Sequence, residues 1–525
     1  MKNYYTHLST RQRFGEIIQK SQKPIFRSSA IFPVIQNENM SSKILLLGYW
    51  LIKRKIPEIT LLTTLRDNKG KILQRNHLVI DCTKGFSIEI KDIMDSKIID
   101  FQGSLELEVF STRDMVFPYP AFVLCYYNDK SSTAVHTVGR IYNDIEDLKE
   151  NEDRKVPEAG FDIYSNTNYD SFIAFTNGPM SNQNGLISYE VINHYSKKIT
   201  GKFYLGEILP YETIFVKFNE HIKNLDKFLE NKTGTMKIIH NFEGFFPRFL
   251  AGNIQKHVNA YSFTHTYYDC TTCNSEFDYW NRKNDNFHDS SILIPLFLKN
   301  NHYTDLVIYP NFSPSIFSFT IDLYDKNGNL IKKIPDYITI DSKKQIFLKI
   351  EFLKLLNENK INPDLVSSAN IIVDWKGKQV PTRLKLGLNV GIKNKSICLP
   401  CNICFAPNLG NPMTENKPGT FHWAPILNFE NSILSITNSG TSKKYERSAN
   451  CELTFYREED SKKIKRNIVL KPNQILQIEL KNDLELQNFL NNKSGWMTMA
   501  SDNPHVFGWY FEFHTSGSVA GDHFF

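Results

Sequence analysis

Apolar and polar residues alternate in short stretches along most of this chain. Phe86-Ser-Ile-Glu-Ile90, Thr213-Ile-Phe-Val-Lys-Phe218, Gln345-Ile-Phe-Leu-Lys-Ile350 and Gln474-Ile-Leu-Gln-Ile-Glu-Leu480 are four of them. A period of two sends successive side chains to opposite faces of a strand, one buried and one wet. The pattern therefore predicts an all-β protein. Polar turn segments separate the strands, as in Leu65–Gly70, Leu323–Gly328 and Phe455–Asp460. The glycines in the first two suit hairpin turns, where a residue without a Cβ takes a positive φ at no steric cost.

One pattern recurs along the chain. Phe228-Leu-Glu-Asn-Lys-Thr-Gly-Thr-Met-Lys-Ile238 returns almost unchanged as Phe489-Leu-Asn-Asn-Lys-Ser-Gly-Trp-Met-Thr-Met499. Weaker copies run from Ile98 to Val109 and from Ile371 to Gly377. The four glycines, Gly103, Gly234, Gly377 and Gly495, are spaced by 131, 143 and 118 residues, so the unit is about 130 residues long. They are expected to occupy equivalent positions. Just upstream, Glu220–Phe228 and Asp483–Phe489 carry apolar residues at three- and four-residue steps. These predict one or two helical turns plugging the end of a sandwich.

The expected architecture is four tandem β-sandwich-like units of immunoglobulin or fibronectin-III type, arranged as two similar pairs. Their predicted bounds are 26–145, 155–275, 288–405 and 420–525. Residues 1–25 are read as a leading helix and Glu146–Asp153 as a charged linker.

Composition fits a folded chain. Of 525 residues 41% are hydrophobic and 22% charged, too apolar for disorder and long enough for several cores. The net charge of +6 is a mild bias, and the densest basic cluster (Lys462, Lys463, Lys465, Arg466) falls at a hairpin, so no nucleic-acid partner is expected. The start of the chain lacks the 7–15-residue apolar core of a secretory leader. The longest apolar run, Ile44–Ile52, is nine residues, against roughly 20 for a membrane helix. No transmembrane segment is expected, and the predicted location is cytoplasmic.

Chemistry enters through the eight cysteines. Cys270-Thr-Thr-Cys273 and Cys398-Leu-Pro-Cys401 are two C-x-x-C knuckles, and Cys404 follows the second. Two knuckles could complete a zinc site at the junction of the second and third units, with His265 nearby. A redox pair and ordinary half-buried thiols are the alternatives. His136-Thr137, His265-Thr266 and His514-Thr515 occupy related positions in three units, followed by Asp144, Asp269 and Asp522, the last beside His523. Imidazole and carboxylate are transition-metal ligands, while a histidine bonded to a backbone carbonyl at a strand end would recur for structural reasons alone.

Two aromatic segments follow the cysteine knuckles. Tyr279, Trp280 and Arg282 lie in one, and His422 and Trp423 in the other. Flat rings beside polar groups suit a ligand-binding shelf for a glycan or a protein; the same rings also suit a core between units. The sequence holds no G-x-S-x-G, P-loop, H-E-x-x-H or post-strand G-x-G-x-x-G. The expectation is a non-enzymatic binding or scaffold protein. The alternative is a metal-dependent, carbohydrate-active enzyme with its site at the second junction.

Overall fold

The computed structural model describes residues 25–94, 100–115, 122–136, 139–141, 157–246, 248–268, 279–281, 285–311, 315–341, 344–377, 379–381, 384–410 and 412–525. The predicted leading helix (all but residue 25) and the linker at 146–153 lie outside these residues.

Eight strands open the fold: β1 (Phe26–Gln36), β2 (Ser41–Leu47), β3 (Ile59–Asp67), β4 (Ile72–Ile80), β5 (Gly85–Glu89), β6 (Phe101–Ser111), β7 (Val123–Tyr127) and β8 (Ser132–His136). They form two antiparallel sheets, ordered β1-β6-β3-β4 and β5-β2-β7-β8. The same two orders recur in three further stretches, running from Glu158 to His265, from Ser290 to Phe405 and from Thr420 to His523. We call the four stretches units 1 to 4. The pairs β2–β5 and β3–β6 are also the central pairs of an immunoglobulin sandwich, but here the first and fourth strands lie in the β3–β6 sheet and the seventh in the β2–β5 sheet.

Alternation explains the packing. Leu61 and Leu65 of β3, four residues apart, and Leu105, Leu107 and Val109 of β6, at two-residue steps, point into the unit 1 core. Each fully buried side chain of this kind contributes about 1.5–3 kcal/mol relative to exposure. The fourth strand of every unit is a sheet edge and mostly exposed. Outside unit 1 these edges carry Lys198 and Lys202, or Lys332, Lys333 and Pro335, or Lys463 and Lys465. Charge and proline on an edge discourage pairing with other chains. The basic cluster noted in the sequence is such an edge: Lys465 pairs with Glu452, and Arg466 with Asp483 and Glu485.

Three of the four repeat glycines coincide. Gly103, Gly234 and Gly495 each sit opposite the last residue of the third strand: Asp67, Asn193 and Arg457. A Cβ on Gly234 would lie 2.6 Å from Leu229 Cδ2, and one on Gly495 would lie 2.4 Å from Leu490 Cδ2. Leu229 and Leu490 end the short helices Leu225–Leu229 and Leu484–Leu490. The glycine thus lets the plug's last leucine rest on the strand. Gly377 is the exception. It lies past the end of the sixth strand of unit 3 (Ser368–Trp375), and Ser368 takes the equivalent place, opposite Tyr324. The chain around Ile371 matches the glycine pattern in residue type but is shifted within the strand.

The units also pair alike. The β3–β4 turn of unit 1 presents Gly70 (φ +84°) to unit 2, where a Cβ would stand 2.2 Å from Pro210 O. The matching turn of unit 3 presents Gly328 (φ +84°) to unit 4, 2.4 Å from Pro472 O. Units 1 and 2, and units 3 and 4, therefore dock through the same turn.

The last strands close a ring. Each of β8, Ala260–His265, Cys401–Phe405 and Val519–His523 packs against two of the others, unit 1 against 2 and 4, and unit 3 against 2 and 4. Hydrogen bonds mark the junctions. Phe263 N donates to Thr133 Oγ1 between units 1 and 2, and Ser262 Oγ to Pro400 O between units 2 and 3. Ile397 N donates to Ser516 O between units 3 and 4, and Ser518 Oγ to Ser132 O between units 4 and 1. No helix among the described residues is long and apolar enough to cross a membrane.

Candidate functional site

The ring brings chemistry together that is dispersed in the sequence. Its four strands end in His136, His265, Phe405 and His523. The His136 ring meets that of His265 edge-on at 4.7 Å and that of His523 at 4.8 Å between centroids. Asp522 completes the group. Its Oδ2 accepts from His136 Nδ1 at 2.7 Å and from the His136 amide at 3.2 Å, and its Oδ1 accepts from the His523 amide at 2.8 Å. Burial pushes the Asp522 carboxyl up, but the imidazoles of His136, His523 and His265 and the bond from His136 outweigh it and hold the group well below the usual carboxylate range. Burial, with Arg248 adding to it, holds His265 well below the usual imidazole range.

His514, read in the sequence as the unit 4 counterpart of His136 and His265, is not at this position. It follows the seventh strand of its unit, Val506–Phe513, and its Nε2 meets Ser132 Oγ at 2.8 Å. The counterpart is His523. The His-Thr step misled because it is a two-residue match, whereas position is set by the register of the final hairpin. Asp144 and Asp269 lie outside the described residues.

The cysteines fall elsewhere. Cys270 and Cys273 lie outside the described residues. Cys398 is exposed, and its thiol reaches Lys395 O at 3.1 Å. Cys401 and Cys404 are buried in the last strand of unit 3, with thiols pushed up to about 12 by burial. Among the described residues, the close array of three metal-type ligands is His136, Asp522 and His523, and no cysteine belongs to it.

A second feature lies between units 2 and 3. A cleft of about 480 Å³ is lined by Tyr164, Tyr169, His194, Lys232, Tyr303, Phe347, Lys349, Glu351 and Cys398, among others. The three tyrosines are half-buried, and Tyr164 and Tyr169 stand 5.8 Å apart. Near it a buried polar network ties the units together. Asp162 of unit 2 accepts from Tyr309 Oη at 2.9 Å and from Asn389 Nδ2 at 2.6 Å, both of unit 3. Asn402 Nδ2 donates to Asn389 Oδ1 at 2.6 Å. Lys349 pairs with Asp305 at 3.0 Å. Apart from Cys398, none of these was singled out as a site residue in the sequence, because they come from separate strands of two units and share no spacing.

The predicted aromatic shelf divides. Tyr279–Asn281 forms a short strand on Gln379–Pro381, and Arg282 lies outside the described residues. Trp423 is only 6% exposed and stacks on Tyr49 of unit 1, so its ring is core between units and leaves no open face for a ligand. His422 bonds Phe525 O through Nδ1 and Thr420 Oγ1 through Nε2, both at 2.9 Å, and burial holds its imidazole down at about 4.

No protein-family model and no curated protein matches the chain. Among solved structures, a calcium-binding mutant of Bacteroides uniformis beta-glucuronidase 2 aligns at 8% identity and a TM-score of 0.11, over 50% of this chain and 27% of that one. A biofilm-associated protein BSP domain aligns at 10% identity and a TM-score of 0.14, over 94% of this chain and 95% of that one. The chain spans about a quarter of the glucuronidase's length.

Proposed function

We propose that the protein is a non-enzymatic binding scaffold whose ring of sandwiches holds a saccharide in the cleft between units 2 and 3. The observation that supports this is the lining: three half-buried tyrosine faces beside Lys232, Lys349 and Glu351. Apolar faces of a sugar ring stack on aromatic planes while the hydroxyls meet charged and polar groups at the rim. The volume suits a short oligosaccharide, and the network around Asp162 keeps the two walls in register. An enzyme at the same junction would need its donors converged. The cleft holds His194, Cys398 and Glu351, but they do not form a close array.

Binding of the full chain to a panel of immobilised oligosaccharides tests the proposal. Retention of at least one saccharide is expected, with Tyr169→Ala weakening it about tenfold, the scale of losing one anchoring ring of 1–2 kcal/mol, at unchanged melting temperature. An empty panel, or a variant that binds as tightly as the parent, overturns it.

A further inference from the structure

The geometry points to a binding site for a divalent first-row transition metal at the centre of the ring, with His136, Asp522 and His523 as ligands. The inference stands apart from the saccharide cleft and shares no residue with it. One ligand atom from each of the three side chains lies within 4.8 Å of the other two. A tetrahedral ion holding nitrogen and oxygen at about 2.0–2.2 Å sets its donors roughly 3.3–3.6 Å apart, so the wider pairs close by up to about an ångström, within reach of a side-chain rotation.

The donors are set for the task. His523 donates Nδ1–H to Phe524 O at 2.7 Å, which fixes its tautomer and leaves the lone pair on Nε2. That nitrogen stands 4.0 Å from Asp522 Oδ1. A backbone carbonyl behind a ligating imidazole is a recurring support in metal sites. The two backbone amides that hold Asp522 fix the direction of its carboxylate. His136 Nδ1 already meets Asp522 Oδ2, so an arriving cation takes the place of the proton shared between them, and that proton is released or moves to Nε2. The His523 side chain is 23% exposed against 5% for Asp522, which gives the ion a path in beside a buried anchor. Two imidazoles and one carboxylate leave further coordination positions for water, and the set favours zinc, cobalt, nickel or ferrous iron over calcium and magnesium. His265 borders the group through its contact with His136, but its Nδ1 is engaged by Thr266 O and its ring lies within the influence of Arg248.

The test is a zinc titration of the metal-stripped full chain, followed by calorimetry and by metal content after dialysis. One tight equivalent is expected. His523→Ala should weaken it at least tenfold, and Cys398→Ser should leave it unchanged. Cobalt is a second probe that needs no variant. Its spectrum should show nitrogen and oxygen ligation without a thiolate charge-transfer band, whether or not His523→Ala folds. No binding by the parent chain, a thiolate band on cobalt, or a site lost with Cys398→Ser and kept with His523→Ala would each overturn the assignment.

Discussion

The indole of Trp423 lies flat on the phenol ring of Tyr49, with centroids 4.8 Å apart and planes 16° from parallel. One residue belongs to the first unit and the other to the last, so this stack is part of what closes the ring. Lys53 Nζ sits 5.0 Å from the indole centroid, and Tyr49 also stacks on Trp50 at 4.3 Å. Replacing a buried tryptophan by alanine removes this packing and leaves a cavity. Trp423→Ala should cost about 3–5 kcal/mol, read by chemical denaturation. A change under about 1 kcal/mol would show that the units 1 and 4 contact does not hold the fold.

The repeat glycines should separate into two classes. A Cβ on Gly103 would stand 2.1 Å from the Arg66 carbonyl oxygen, a backbone atom that cannot step aside. Gly103→Ala should destabilise by about 1–3 kcal/mol or more, as other overpacked sites do. Gly377 has no atom within 4 Å of such a Cβ, so Gly377→Ala should stay within about 0.5 kcal/mol of the parent. Thermal melts of the two variants side by side give the comparison.

Thiol reactivity should follow burial. Cys125, Cys401 and Cys404 are buried, with thiols pushed up to about 12, whereas Cys398 is exposed. Brief alkylation of the native chain at pH 8, mapped by mass spectrometry, should label Cys398 and spare the other three. All should react once the chain is unfolded. Early labelling of Cys401 would place that strand away from the core.

Asp483 offers a pH-dependent test. It caps the helix Leu484–Leu490 by accepting from Leu486 N at 3.1 Å, and it accepts both terminal nitrogens of Arg466. The Arg466 hydrogen bonds, first among the causes, hold its carboxyl below the usual range. A depressed folded-state value means stabilisation that is complete above the unfolded-state value of about 4 and is lost as pH falls through the folded one. Asp483→Asn keeps an oxygen that can cap the helix and removes the ion pair, so it should cost about 0.2–1 kcal/mol at pH 7, the range for an exposed pair. The gap between parent and variant should narrow steadily below about pH 4. A gap that does not change with pH would remove the ion pair from the explanation.

What could be read from the sequence is what is local. Strand alternation, the Asn-x-Gly70 and Asn-Gly328 turns, and the glycine beneath each leucine plug all act within a few residues of themselves. Gly377 was misplaced because pattern matching sees residue type and not strand register. Unit 3 uses Ser368 where its relatives use glycine, and no local rule marks that exchange. The ring centre was out of reach for another reason. His136 and Asp522 lie 386 residues apart and meet only because four sandwiches close on one another. Tyr164, Tyr169 and Tyr303 are similarly mute as letters, since the cleft exists only once units 2 and 3 are locked by Asp162, Tyr309 and Asn389.

Ring closure has a consequence for how the chain is made. Unit 1 needs unit 4 to cover Tyr49 and to partner Lys43, whose Nζ reaches Ser494 Oγ at 3.1 Å. Roughly 300 residues separate the two units, so at about 5–20 residues per second the ribosome delivers the partner some 15–60 s later. During that interval the nascent first sandwich presents an apolar face with nothing on it. The demand on holding chaperones should therefore fall in the early and middle parts of translation and end when the fourth sandwich emerges.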